Sequence, residues 1–184
     1  MIKRVSQAGF MWSMVEAKWD GFEATFEGFV PRGLAMYADD ELDELMADVG
    51  IMRNGAKIKA AIHDARFMVD LADEHGAVGG LFAEWPVSDF IGLLALLKEC
   101  GSRLGGDTGQ SILRFMGKPY PAFHEETRLY LLQGRGAGLD RQGVIDKPAP
   151  SKWAFAALQE AFNQWSRETG RDLSQLSRIL AASV

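Results

Sequence analysis

Cysteine is almost absent from this chain: Cys100 stands alone among 184 residues. That excludes a disulfide framework and a thiolate zinc cluster, and it fits a reducing, intracellular setting. No stretch keeps up an alternation of apolar and polar residues, so no strand is expected. No apolar run is long enough to cross a membrane and no signal peptide is visible, so a cytoplasmic protein is expected. Basic charge is in the minority, with 20 Lys and Arg against 25 Asp and Glu, a formal net charge of −5. A uniformly basic nucleic-acid coat is thereby excluded, and any nucleic-acid footprint has to be local. What remains is 47% apolar and 24% charged residues, the balance of a globular chain able to bury a core.

The stretch that organises the rest runs from Val49 to Ala61. Before it, Asp39 and Asp40 open an acidic amphipathic helix, with apolar residues at helical spacing up to Val49 and Gly50 where a left-handed cap falls. After it, Ala56, Ile58, Ala60, Ala61, Ile62, Ala65 and Met68 carry a second apolar face to about Glu74. Between them the segment Gly50 to Gly55 makes a tight turn, so the pattern is a helix-hairpin-helix. The second helix begins with backbone N–H groups facing outward, a ready anion site. Arg53, Lys57, Lys59 and Arg66 surround it, which makes a nucleic-acid phosphate its natural partner. The alternative is a packed helix pair with merely solvated basic residues.

Elsewhere the periodicity is helical throughout. Residues 1–17 read as one apolar-faced run with Gly9 as its main breaker, and Trp19, Phe22, Phe26 and Phe29 form an aromatic stripe that Pro31 ends. His63 and His75 read as solvated, and Gly79-Gly80 as a loop. Ser88 is expected to cap an apolar helix over 90–97, and a glycine-rich connection at 104–108 leads into a helix to about Met116. That connection lacks the Gly-Lys-Ser/Thr ending of a phosphate loop. Residues 118–121 read as rigid linker, 122–133 as helix, 134–143 as the mobile loop, and 151–168 and 172–182 as two closing helices with Trp153, Leu158, Phe162 and Trp165 inward. The expected fold is an all-α orthogonal bundle forming a single domain over 1–184.

Two fragments carry a resemblance. Gln7-Ala8-Gly9-Phe10-Met11-Trp12 is similar to a Gln-Ala-Gly-Leu-Ser-Trp element, and Gly50-Ile51-Met52-Arg53-Asn54-Gly55-Ala56-Lys57-Ile58 to a Gly-Ile-Ile-Arg hairpin ending in Lys-Ile, both of the DNA-3-methyladenine glycosylase I family. Phe26, Phe29, Pro31 and Leu45 fall between them in the family's order, and Leu81-Phe82-Ala83-Glu84-Trp85 and Gly106-Asp107-Thr108 follow. The likeness covers about residues 1–117, with 118–184 divergent. It implies the helix-hairpin-helix glycosylase fold and a monomer acting on double-stranded DNA that carries an alkylated base. A base methylated at N3 is cationic and its glycosidic bond already weak, so such an enzyme has mainly to flip the base, stack it on aromatic rings and exclude water. The resemblance places Trp12 under the flipped base, Gln7 near the gap left in the duplex, and Gly50, Ile51, Met52, Arg53, Asn54 and Lys57 on the phosphate backbone.

The departures are equally specific. The family's pocket carboxylate stands three residues before the glutamine, and here that position is Arg4, which is repelled by a cationic base and cannot act as a general base. Glu16, one turn beyond Trp12, and Asp107 are the candidate substitutes, with a surface charge and a helix cap as their ordinary readings. A segment preceding Met1, which would still leave Arg4 in place, and a loss of catalysis with retained DNA binding are two further accounts of these departures. The family's N-terminal zinc half-site and closing cysteine and histidine ligands have no counterpart, so no zinc and no other cofactor is expected. A helical protein-interaction module is the reading from another class, told apart by the salt dependence of binding.

Overall fold

The computed structural model describes residues 1–121 and 152–182, with side chains described over 1–121 and 155–182. Among these residues there are helices and turns but no strand: α1 (Ile2–Gln7), α2 (Trp12–Ala17), α3 (Trp19–Thr25), a 3-10 turn (Glu27–Phe29), α4 (Pro31–Ala35), α5 (Asp39–Ala47), α6 (Gly55–His75), α7 (Val78–Glu84), a second 3-10 turn (Val87–Asp89), α8 (Phe90–Cys100), α9 (Gly106–Phe115), α10 (Lys152–Thr169) and α11 (Leu173–Ala182). The all-α expectation is met. Among the described residues no single helix is long and apolar enough to cross a membrane. The stretches 122–133, expected as helix, and 134–143, expected as loop, lie outside the described residues, as does the side chain of Trp153.

The chain groups into two units. The first comprises residues 1–84 and 94–112. Its long helix is α6, whose Ile58, Ala61, Ile62 and Ala65, spaced at three and four, pack into a core with Phe22, Phe26, Leu34, Leu42, Leu45 and Ile51. The aromatic stripe is as expected: Trp19, Phe22, Phe26 and Phe29 stack in succession with centroids 5.1–6.0 Å apart. Gly76, at φ +80°, ends α6 one residue beyond the expected boundary.

Several boundaries differ for local reasons. Residues 1–17 form two helices, because Gly9 adopts φ +74° and turns the chain between α1 and α2. Pro31 opens α4 rather than merely closing the stripe, since a missing N–H costs nothing at the first helical position. Gly79 and Gly80 lie inside α7. Asp89, not Ser88, caps α8, its Oδ1 accepting from the Gly92 N–H at 3.1 Å.

The second unit comprises residues 85–93 and 113–184. Phe162 of α10 packs with Leu173, Leu176 and Leu180 of α11, with Val87 and Trp165 against them. Leu158 and Phe162 are inward as expected, with Trp165 only partly buried. Asn163 Nδ2 donates to the Ser88 carbonyl at 2.9 Å and the Tyr120 N–H to Ser174 Oγ at 3.1 Å, so the 118–121 segment is anchored rather than a free linker. Lys118, buried in this unit, donates to the Trp85 carbonyl.

Candidate nucleic-acid interface and base site

The hairpin is held by side chains around it. Helix α5 stops at Ala47 because Asp48 turns to an extended conformation (φ −66°, ψ 121°), and its Oδ1 takes the Gly50 N–H at 2.6 Å. Its Oδ2 accepts from Thr25 Oγ1 at 2.6 Å. These two bonds, Thr25 the larger, together with the nearby Lys18 ammonium hold the Asp48 carboxyl below the usual carboxylate range. The left-handed cap expected at Gly50 is therefore replaced by an Asp48 side-chain cap. Lys18 Nζ donates to the carbonyls of Val49 and Ile51 at 2.7 and 3.3 Å. A Cβ on Gly21 would stand 2.4 Å from the Gly50 carbonyl oxygen, so α3 and the hairpin approach as only glycine permits.

The expected phosphate-gripping residues separate into two groups. Asn54 caps α6, its Oδ1 accepting from the Lys57 N–H at 3.1 Å, which leaves the first-turn N–H groups of Gly55 and Ala56 outside the helical ladder. Arg53 and Lys59 are exposed. Ile51 is buried in the core and Met52 packs partly against it, so they contribute backbone alone. Lys57 is occupied elsewhere: its ammonium donates to the carbonyls of Ser6, at 2.6 Å, and Ala8, and lies 4.1 Å from the Phe10 ring centre. Burial first, then the Arg103 guanidinium, lower its pKa. Arg66 likewise donates to the carbonyls of Ala35 and Tyr37, at 3.0 and 2.6 Å. Two of the four expected cations thus tie down the ends of α1 and α4, a role that spacing along α6 could not reveal.

Around Trp12 the structure gathers four residues singled out above. Arg4 Nη1 donates to Gln7 Oε1 at 2.6 Å, and Gln7 Nε2 donates to Glu16 Oε1 at 3.0 Å. Glu16 Oε2 pairs with Lys3 at 2.7 Å. The Arg4 guanidinium lies 4.9 Å from the Trp12 ring centre. Trp12 itself is 54% exposed, whereas Gln7 is 2% exposed and not the surface residue its polarity suggests. Two cations face one carboxylate here, and the local charge is positive. Asp107 lies apart in sequence, exposed in the first turn of α9.

Residues 1–88, which hold both the hairpin and the Trp12 group, have relatives among known proteins. They match the methyladenine glycosylase family. Over 60 residues this chain is 37% identical to DNA-3-methyladenine glycosylase 1 of Escherichia coli (strain K12), a match covering 33% of this chain and 32% of that protein, about a third of the relative's length. A mutant of 3-methyladenine DNA glycosylase I from Staphylococcus aureus superposes with TM-score 0.54 at 18% identity, covering 63% of this chain and 73% of that one. A second 3-methyladenine DNA glycosylase I structure reaches TM-score 0.48 at 24% identity, over 58% of this chain and 69% of that one. The Gln7–Trp12 and Gly50–Ile58 fragments that carry the resemblance both fall within the residues that match the methyladenine glycosylase family.

Asp64 escaped sequence reasoning. It lies on α6 and is 1% exposed, with its Oδ1 accepting the Ser102 N–H at 2.7 Å and its Oδ2 without a partner. Burial outweighs that hydrogen bond and the nearby His63, and pushes its carboxyl up to about 6. The signal was available: Asp64 sits between Ala61 and Ala65 on a run that is otherwise apolar on that side. Groups of three or more His, Cys, Asp or Glu placed to hold a metal are absent among the described residues.

Proposed function

We propose that this chain acts on duplex DNA as a base-excision glycosylase for alkylated, N3-methylated purines. The hairpin backbone, the first turn of α6 and Arg53 hold phosphates, and Trp12 receives the flipped base. The observation that carries this reading is the Arg4 guanidinium on Trp12. A planar cation already occupies the ring face, and a cationic methylated base would replace it charge for charge. Gln7 links the Arg4 guanidinium to Glu16, so a carboxylate of the same hydrogen-bonded group would steady the positive sugar as the weakened bond opens.

The experiment is release of free base from methylated duplex DNA by the intact chain, with Trp12→Ala, Glu16→Gln, Asp107→Asn and Arg4→Glu beside it. Release should fall by about 100-fold in Trp12→Ala and Glu16→Gln, stay unchanged in Asp107→Asn, and rise in Arg4→Glu, which returns a carboxylate to the family position. Loss in Asp107→Asn alone would move the chemistry to α9.

The excess of positive charge around Trp12 favours a second reading, a non-catalytic binder of damaged DNA. Absence of release from all variants, with salt-sensitive affinity for damaged duplex, would select it. Salt-insensitive association with protein would leave only a helical interaction module.

A further inference from the structure

Lys18 lies outside the Gly50–Ile58 hairpin motif, yet its ammonium is seated on the turn itself. Its Nζ donates to the carbonyls of Val49 and Ile51, on either side of Gly50, at 2.7 and 3.3 Å. We propose that Lys18 is a phosphate-binding residue of the hairpin, its ammonium shared between those two carbonyls and one phosphate oxygen of duplex DNA, an assignment that rests on the DNA-binding reading above. Three observations carry it. Lys18 is exposed, and an ammonium has three N–H donors, so two on the turn leave a third for an outside acceptor. No carboxylate among the described residues forms an ion pair with it, because the nearby Asp48 commits Oδ1 to the Gly50 N–H and Oδ2 to Thr25. The ammonium is also held in place: with a Cβ at Gly21 only 2.4 Å from the Gly50 carbonyl oxygen, this part of the chain lies hard against the turn. Carbonyl oxygens carry partial negative charge, and two of them on one turn repel a phosphate unless a cation stands between. Lys18 supplies that cation, already positioned before DNA arrives. It follows directly on α2, which begins at Trp12, so the same contact fixes the helix bearing that ring to the hairpin.

The test is the affinity of the intact chain for a short undamaged duplex, followed by fluorescence anisotropy between about 50 and 200 mM salt. Lys18→Gln keeps an N–H donor for the turn carbonyls and removes the charge. It should bind roughly five- to tenfold more weakly near 100 mM salt, and the slope of log affinity against log salt should flatten by about 0.9, the share of one phosphate contact. Lys18→Arg keeps both charge and donors and should hold the original slope. Arg53→Ala, run beside them, should lose a similar share of the slope. An unchanged slope in Lys18→Gln, with the loss in Arg53→Ala present, would make Lys18 a brace of the turn alone and overturn the proposal while the DNA-binding reading stands. Equal flattening in Lys18→Arg and Lys18→Gln would trace the effect to a displaced turn and overturn it as well. Salt-insensitive or absent binding by the unaltered chain would overturn the DNA-binding reading and the proposal together.

Discussion

Two carboxylates of the first unit sit in opposite settings. Glu16 is half exposed, and both its oxygens are engaged, one by Gln7 and one by Lys3. Asp64 is buried, with one oxygen bonded to the Ser102 N–H and the other unpaired. Glu16 keeps water and a flexible ammonium beside it, whereas Asp64 gives up hydration for a single hydrogen bond. The carboxylate that the sequence singles out beside Trp12 is therefore not the one that the fold buries, and the buried one lies in no motif.

The largest effect that would break this contrast concerns Asp64. Its folded pKa of about 6 lies above the ordinary 3.8, so its contribution to stability is present below about pH 4 and is lost as pH rises through 6. A shift of about two units corresponds to about 3 kcal/mol of stability lost by neutral pH. Denaturant unfolding from acid to neutral pH should show that decline, and Asp64→Asn should remove it and be more stable at pH 7. A decline of the same size in Asp64→Asn would show that Asp64 is not its source.

Lys57 sharpens the comparison from the cationic side. Because its ammonium bonds the last carbonyls around α1, Lys57→Met should cost about 2 kcal/mol of stability. Arg53→Ala, at an exposed position, should leave stability within about 0.5 kcal/mol while lowering affinity for all DNA sequences alike. Equal stabilities in the two variants would return Lys57 to the phosphate-binding set.

Gly21→Ala comes next, at about 1–2 kcal/mol, because the new methyl meets the Gly50 carbonyl and the hairpin has to shift. Glu16→Gln, at the small end, should cost under about 1 kcal/mol, as exposed ion pairs do. A larger loss there would show that the pair with Gln7 is structural.

These expectations mark what the sequence made legible. Helices α5 and α6 and the turn between them follow from apolar spacing and glycine, and the aromatic stripe from its three-and-four rhythm, because local periodicity fixes which face turns inward. The meeting of Arg4, Gln7, Trp12 and Glu16 was half legible, since motif and helix spacing brought them close but gave no sign that Gln7 is buried or that Arg4 covers the ring. The partners of Lys57, Arg66 and Asp64 were not legible, because Ser6, Ala35 and Ser102 lie 31 to 51 residues away and only the tertiary fold brings them in. Burial of a charge is a property of the assembled core and leaves no period in the sequence.

The Lys57 ammonium joins the first turn of α6 to the last turn of α1, immediately before the Gly9 turn that leads to Trp12. A strand of phosphates seated on the hairpin would meet an aromatic ring whose distance and heading are already set. On the proposed DNA-binding reading, gripping and reading would become one act of docking, because the ordering that a floppy connection would demand at the moment of contact is met when the chain folds.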